Sequence, residues 1–395
     1  MYRLVQRRGI IGLFCLLFVA SSVVPGWAQK DNRFEVSKNL DIFNSLLKEV
    51  EMFYVDSVDV DKTVQRGIEA MLAGLDPYTE YYPEQKTEEL SLMTTGEYGG
   101  IGSLIRQRNN EGGVMIAEPT EGMPADLAGL KPGDLILAID TIDVSKATNS
   151  RVSELLKGVP NTKMVLTIQR PGEKKPRKFE ITRKQITTPQ VTYYGVKNDS
   201  IGYIYLKAFT IKSAQEVKEA FLDLKKNHNI KSLVLDLRGN GGGVLEGAVQ
   251  IVGMFVPKGS EVLSTKGKIK QWDRTYRTST EPLDTVMPLA ILINGGTASA
   301  AEIVSGSLQD MDRAVLVGQR SFGKGLVQAP RDLPYNGKVK ITMSKYYIPS
   351  GRCIQQIDYS HRKEDGSVAA IPDSLTSVFY TSKKRPVRDG GGVRP

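Results

Sequence analysis

Hydrophobic residues along this chain recur with three successive periods. From Asn39 to Gly74 the period is helical. Leu40, Phe43, Leu46, Leu47, Val50 and Phe53 share one face of "LDIFNSLLKEVEMFYV", and "DKTVQRGIEAMLAGL" repeats the pattern before Asp76-Pro77. Such a helix pair is too small to bury a core alone, so it is expected to dock on another domain or a second subunit. From about Thr87 the pattern becomes short apolar runs between Gly and Pro turns: "GGIGSLIRQ", "GGVMIAEPT", "GDLILAIDTIDV" and "KMVLTIQRP". Short helical pieces near "MPADLAGL" and "SRVSELLKG" interrupt this β-rich segment, which ends near Thr182. From Thr192 strands and helices alternate through "SIGYIYLKAF", "KSAQEVKEAFLDLKKN", "KSLVLDLRG", "VLEGAVQIVGMF", "PLAILING" and "AVLVG". That order predicts α/β layering on a largely parallel sheet. The expected divisions are a leader over 1–28, a helical region over 29–86, a β-rich domain over 87–182, an α/β core over 183–355 and an extension over 356–395. The basic, Gly-rich end "SKKRPVRDGGGVRP" is expected to be loosely ordered.

A length of 395 residues implies two or three domains, and 40% hydrophobic with 25% charged residues is the balance of a soluble globular protein. The formal charge is +9, of which Arg3, Arg7 and Arg8 supply three. The remainder reads as a solvated basic face, because no nucleic-acid motif or basic–aromatic stripe accompanies it. Those arginines precede "GIIGLFCLLFVASSVV" and the small residues Gly26 and Ala28, the pattern of an export signal cleaved after Ala28. The apolar run is shorter than the ~20 residues of a spanning helix. Cleavage leaves Cys353 as the single cysteine, so no internal disulfide can form.

The candidate chemistry lies after three strands. Ser299, in "INGGTASAAEIVSGSLQD", opens a helix of small residues. Ser299-x-x-Glu302 has capping-box spacing, and a serine at a strand-to-helix turn can equally be a nucleophile beside exposed amides. Both readings stay open at this point. The two histidines, His228 and His361, fall in polar, charged stretches and read as surface residues, so a Ser-His-Asp triad is poorly supported. Lys324, flanked by Gly323 and Gly325 in "RSFGKGLVQ", can serve as a base if burial or positive charge lowers its pKa from ~10.4 by several units. "LDLRGNGGG", Leu235 to Gly243, fits neither phosphate-binding glycine motif; a plain turn or an oxyanion hole are its other readings.

These residues together resemble the carboxy-terminal processing (tail-specific) proteases, serine peptidases with a PDZ domain and a Ser-Lys dyad, over about Asn39 to Gln355. "GTASAAEI" is similar to the family's GTASASEI, with Ala301 replacing a serine, and "SFGKG" matches the base motif 25 residues on. "DLRGNGGG" is similar to DLRNNPGG, with Gly239 and Gly241 as the departures. The resemblance implies a multidomain protein: an α/β, ClpP/crotonase-like protease core, a PDZ domain and an N-terminal helical region. It places Ser299 as nucleophile and Lys324 as general base. Gln328 would orient the lysine if the two lie one helical turn apart, whereas an extended chain would separate them. Asp310 matches an aspartate sometimes counted with the dyad and reads equally as a helix-end residue. The amides of Gly242 and Ala300 are the oxyanion-hole candidates.

In the PDZ-like segment, Gly100, Ile101 and Gly102 would receive a peptide's C-terminal carboxylate. The peptide would add as a strand beside Ser103, Leu104 and Ile105, with Val152 and Leu155 on the opposite wall. "LAGLKPGDLILAID" strengthens this resemblance. Relatives usually continue past "DGGGVRP", and "RCIQQIDYSHRKEDGS" is longer than the usual loop. The reading is an exported, periplasmic endopeptidase, free or associated with the inner membrane, that takes unfolded or C-terminally exposed proteins. No cofactor, metal or nucleic acid is expected. Its partners would be those substrates, an adaptor or activating protein, and a second copy through the helices at Asn39 to Gly74. Other readings are a PDZ adaptor on an inactive protease-like scaffold and a CoA-thioester enzyme on a related α/β architecture.

Overall fold

The computed structural model of the chain describes residues 33–108 and 112–395, so the leader expected over 1–28 lies outside the described residues. The chain divides into two units, residues 1–68 and 69–395. In the first, helix Arg33–Phe53 buries none of its residues, and its apolar positions Phe34, Leu40, Phe43 and Leu46 are exposed. Helix Val60–Ala73 runs across the division.

Within the second unit the alternating segment forms a five-stranded sheet. Its order is 191–197, 201–206, 232–236, 289–293 and 315–318. The first pair is antiparallel and the others are parallel, with Leu235 opposite Ile291 and Ile291 opposite Leu316. Helices Ser213–Asn227, Leu245–Gly253 and Ala300–Asp310 are the crossovers, and parallel strands require such connections. Phe221, Ile251 and Val304 from these helices join Ile204, Leu235 and Ile291 in one fully buried core. The carboxyl ends of parallel strands 232–236, 289–293 and 315–318 lead into 237–243, 294–299 and 319–324. All three candidate motifs therefore reach the same edge of the sheet.

A second, antiparallel sheet runs in the order 80–82, 338–347, 261–267, 274–277, with 326–332 also paired to 338–347. Glu80 lies opposite Lys340, so the segment after the helices belongs to this sheet rather than to the helical region expected over 29–86. The PDZ-like sheet is built from 103–107, 114–119, 135–139, 163–169 and 177–182, with 142–143 on the third of these. It has its own buried cluster of Ile116, Ile136, Leu166 and Ile168. Strand Glu97–Gly100 pairs with Lys184–Thr187, joining the entry and exit of this domain.

The chain end departs from expectation. A hairpin, 378–380 with 386–388, is followed by a tightly packed stretch with Val393 fully buried in the α/β core. The Val393 amide donates to Ser321 Oγ at 2.7 Å and the Gly392 amide to the Ile354 carbonyl at 2.9 Å. The glycines read as looseness, but at Gly392 glycine allows close approach. Its φ is +72°, and a Cβ there would lie 2.7 Å from the Ser321 carbonyl oxygen. Gly392→Ala is expected to destabilise the protein by about 2–4 kcal/mol, strain and overlap together. Gly366→Ala, also at positive φ but with nothing within 4 Å, is expected to cost only the strain, about 1–2 kcal/mol. Urea unfolding of the two variants measures the difference, and equal losses would refute the packed account of the tail.

Candidate active site

Ser299 follows strand Leu289–Ile293 and a short turn, and its backbone is held at φ 55° and ψ −117°. A non-glycine residue in that region is strained, and such strain concentrates at functional sites. The geometry is that of a sharp strand-to-helix elbow, which projects a side chain at the sheet edge. Neighbours permit the sharp turn because they are small: Ala298, Ala300 and Ala301 are buried, and a Cβ on Gly242 would lie 2.7 Å from the Ser299 Cβ.

Ser299 and Glu302 form the capping box that their spacing predicts, and a capping serine at such an elbow can still carry chemistry. The Glu302 amide also donates to the Ser299 carbonyl at 2.8 Å. Glu302 Oε2 accepts the Ser299 amide at 2.8 Å, and the fully buried Tyr346 donates its hydroxyl to the Ser299 carbonyl at 3.3 Å.

Glu302 does more than close a helix start. It is fully buried, and Oε2 also accepts the Lys324 amide at 2.9 Å. Oε1 accepts the Gly323 amide at 2.7 Å and the Ser321 hydroxyl. One carboxylate thus joins the Ser299 elbow to the Lys324 loop. Burial raises its pKa, against the pull of its four donors.

Lys324 is half-buried, and its ammonium lies 4.2 Å from the centre of the Tyr78 ring. Burial lowers its pKa to about 8, with help from the positive charge of Lys340 and against Asp76, Glu80 and Glu302. This is the direction a base lysine needs. Among the described residues no hydrogen bond joins the Lys324 ammonium to the Ser299 hydroxyl.

Gln328 and Asp310 each take one of the alternatives that the sequence left open. Gln328 sits in strand Leu326–Asp332, not one helical turn from Lys324, and its amide donates to Thr342 Oγ1 at 3.0 Å. The extended alternative therefore applies. Asp310 ends the 11-residue helix that Ser299 begins, about 16 Å along its axis. There it is buried against Arg352 Nη2 at 2.8 Å and accepts the Ser350 amide at 3.1 Å, apart from the serine and lysine. Of the oxyanion candidates, the Ala300 amide has no partner among the described residues. The Gly242 amide donates to Asn240 Oδ1 at 2.9 Å, an asparagine turn whose Nδ2 is fixed on the Leu206 carbonyl at 2.9 Å. An oxyanion at Gly242 would have to displace that bond. His361 is exposed against Asp358, and His228 caps the end of helix Ser213–Asn227.

In the PDZ-like domain, Ser103–Gln107 is an edge strand, paired only with Val114–Pro119, so its other side is open to an added strand. Just before it, neither the Ile101 nor the Gly102 amide has a backbone partner among the described residues. Gly100 ends the strand paired with Lys184–Thr187. Gln107 Oε1 accepts the Asn149 amide at 2.7 Å, tying the edge strand to helix Asn149–Leu156. Leu104 is exposed and Ile105 and Leu155 are partly buried, as a groove lining requires. Val152, expected on the wall, is instead fully buried in the domain core, because its position on the helix faces the sheet.

Sequence reasoning saw Glu302 only as a cap and missed Tyr78, Ser321, Thr342 and Tyr346. Glu302 had a signal, its fixed spacing from Ser299, and the others had none.

Comparison with known proteins agrees with this architecture. The sequence pattern of Peptidase family S41 matches residues 200–360, and that of a PDZ domain matches residues 115–170. The chain is 36% identical over 345 residues to a carboxy-terminal-processing protease of Bartonella bacilliformis, covering 87% of this chain and 77% of that one. It is 33% identical over 320 residues to a probable CtpA-like serine protease of Staphylococcus aureus, covering 80% of this chain and 62% of that one. Among solved structures it is similar to a photosystem II D1 C-terminal processing protease, at 29% identity, a TM-score of 0.45, and 80% and 89% coverage of the two chains.

Glu302→Gln places an NH2 group against at least one backbone N–H whichever way the amide turns. It is expected to destabilise the protein by about 1–3 kcal/mol, read as a lower thermal unfolding midpoint. An unchanged midpoint would show that the four bonds do not hold the site.

Proposed function

The chain belongs to peptidase family S41, the carboxy-terminal-processing serine proteases, and from that premise we propose that it is an exported endopeptidase that captures protein C-termini in its PDZ groove and cleaves them with Ser299 and Lys324. The observation that carries this reading is the pairing of a strained serine elbow with a base-suited lysine through one buried carboxylate. Neutral Lys324 takes the Ser299 hydroxyl proton as the oxygen attacks a peptide carbonyl. The Ala300 amide, at the positive end of its helix, supports the oxyanion. The lysine returns the proton to the departing amine, leaving an acyl-enzyme. Water, deprotonated by the same lysine, then releases the acid and restores the serine.

The Ile101 and Gly102 amides would hold the substrate's carboxylate, and the open edge at Ser103 to Ile105 would pair with its last residues. The leader pattern over 1–28 supports export to the periplasm, with or without membrane association. Unfolded proteins are the substrates such a groove suits, and an adaptor or activating protein is a further partner. The exposed apolar face at Leu40, Phe43 and Leu46 supports pairing with a second copy. A PDZ adaptor without activity is the second reading, favoured by one observation, the missing bond between Ser299 and Lys324.

The test is cleavage of an unfolded polypeptide with a free apolar C-terminus by wild type, Ser299→Ala and Lys324→Ala. Loss of at least about a thousandfold in both folded variants is expected, and equal activity in all three would refute the dyad. With a lysine pKa near 8, the rate should fall about tenfold per pH unit below pH 8 as the base becomes protonated, and level off above it. A rate flat from pH 6 to 9 would exclude Lys324 as the base.

A further inference from the structure

The turn Asp76-Pro77-Tyr78-Thr79 joins helix Val60–Ala73 to strand Glu80–Tyr82. It is unusually well fastened. Asp76 is buried; its Oδ1 accepts the Tyr78 and Thr79 amides, both at 2.8 Å, and its Oδ2 accepts the Thr79 hydroxyl at 3.0 Å. Thr79 Oγ1 in turn accepts the Thr342 amide at 3.1 Å. The side chain of that same Thr342 receives Gln328. The turn, strand 338–347 and the strand carrying Gln328 thus form one hydrogen-bonded unit.

What this unit presents to the site is the Tyr78 ring. Lys324 Nζ lies 4.2 Å from its centre, and the Tyr359 ring packs against the same ring in a T-shaped contact with centroids 6.0 Å apart. A ring face attracts an ammonium and has nothing to offer a neutral amine. The contact therefore favours the form of Lys324 that cannot act as a base, and it occupies the nitrogen where the Ser299 hydroxyl has no bond to it.

We propose that Tyr78 is a positioning residue for Lys324, holding the ammonium off Ser299 until the Asp76–Thr79 turn yields. The inference rests on the reading of Lys324 as the base. The other charged groups facing the lysine are Lys340 on strand 338–347, Asp76 and Glu80 on either side of Tyr78, and Glu302 on the serine's helix. Tyr78→Leu leaves all four in place and keeps an apolar group over the amine. It removes the ring's attraction for charge together with the ring and hydroxyl contacts to Tyr359. Tyr78→Phe keeps that attraction and removes the hydroxyl, which meets the Tyr359 hydroxyl at 3.5 Å.

The experiment is the pH profile, from pH 5.5 to 9.5, of the rate at which a fluorophosphonate probe labels the full-length protein. Wild type, Tyr78→Leu, Tyr78→Phe and Lys324→Ala are compared, each checked for an intact thermal transition. Tyr78→Leu is expected to move the midpoint of the rising limb about half to one pH unit towards acid. Labelling at pH 6.5 should then be about three- to tenfold faster. Tyr78→Phe should keep the wild-type midpoint, and Lys324→Ala should abolish the limb. If the leucine variant fails to fold, Tyr78→Met carries the same test. A Tyr78→Leu midpoint that stays in place or moves towards alkali, with the Lys324→Ala limb lost, would overturn the role of Tyr78 and leave the dyad standing. An unaltered profile in Lys324→Ala would overturn the dyad, and the inference with it.

Discussion

The site depends on where one carboxylate finds its hydrogen bonds. Glu302 is buried, so each oxygen must be satisfied by the protein. The donors come from two places: the amide of Ser299 on one side, and Ser321, Gly323 and Lys324 on the other. Removing any of them leaves a buried carboxylate one donor short, which costs more than an ordinary surface contact returns. The elbow and the lysine loop are therefore held together although each leaves the sheet from a different strand. The strain at Ser299 persists because this carboxylate below and the Tyr346 hydroxyl beside it over-determine the turn.

The surrounding layers follow from that constraint. The parallel sheet delivers three loops to one edge, and the packed chain end backs the Lys324 loop through Ser321 and Val393. The antiparallel sheet supplies the lysine's other side. Its strand 338–347 carries Lys340, whose charge opposes protonation of Lys324, and it anchors the turn bearing Tyr78. Burial and like charge pull the lysine towards neutrality, whereas the aromatic ring and three carboxylates pull the other way. The amine is thereby left near the point where either form is accessible.

Much of this was legible in the sequence. Alternating strands and helices from Thr192, the short runs between glycine turns before them, and the positions of Ser299 and Lys324 after strands all carry local signals, and the structure has them there. What was not legible depends on contacts between distant segments. The Ser299–Glu302 spacing is the same whether the glutamate caps a helix or also gathers amides from residues 321–324. The glycines at 390–392 read as slack, but Gly392 lets the backbone pass against Ser321. Gln328 could not be assigned to helix or strand from its spacing alone. Val152 and Leu155 are both apolar on one short helix, and only the packing shows that the first faces the core. The meeting of Tyr78 with Lys324 leaves no trace in any local pattern.

The central claim is that Ser299 is a nucleophile and not only the cap its spacing makes it. Mass spectrometric mapping of the fluorophosphonate adduct tests it most directly. The account predicts one adduct per chain, carried by the Ser299 hydroxyl. An adduct on Ser305, Ser321 or another residue, or none in a preparation that cleaves protein, would contradict it.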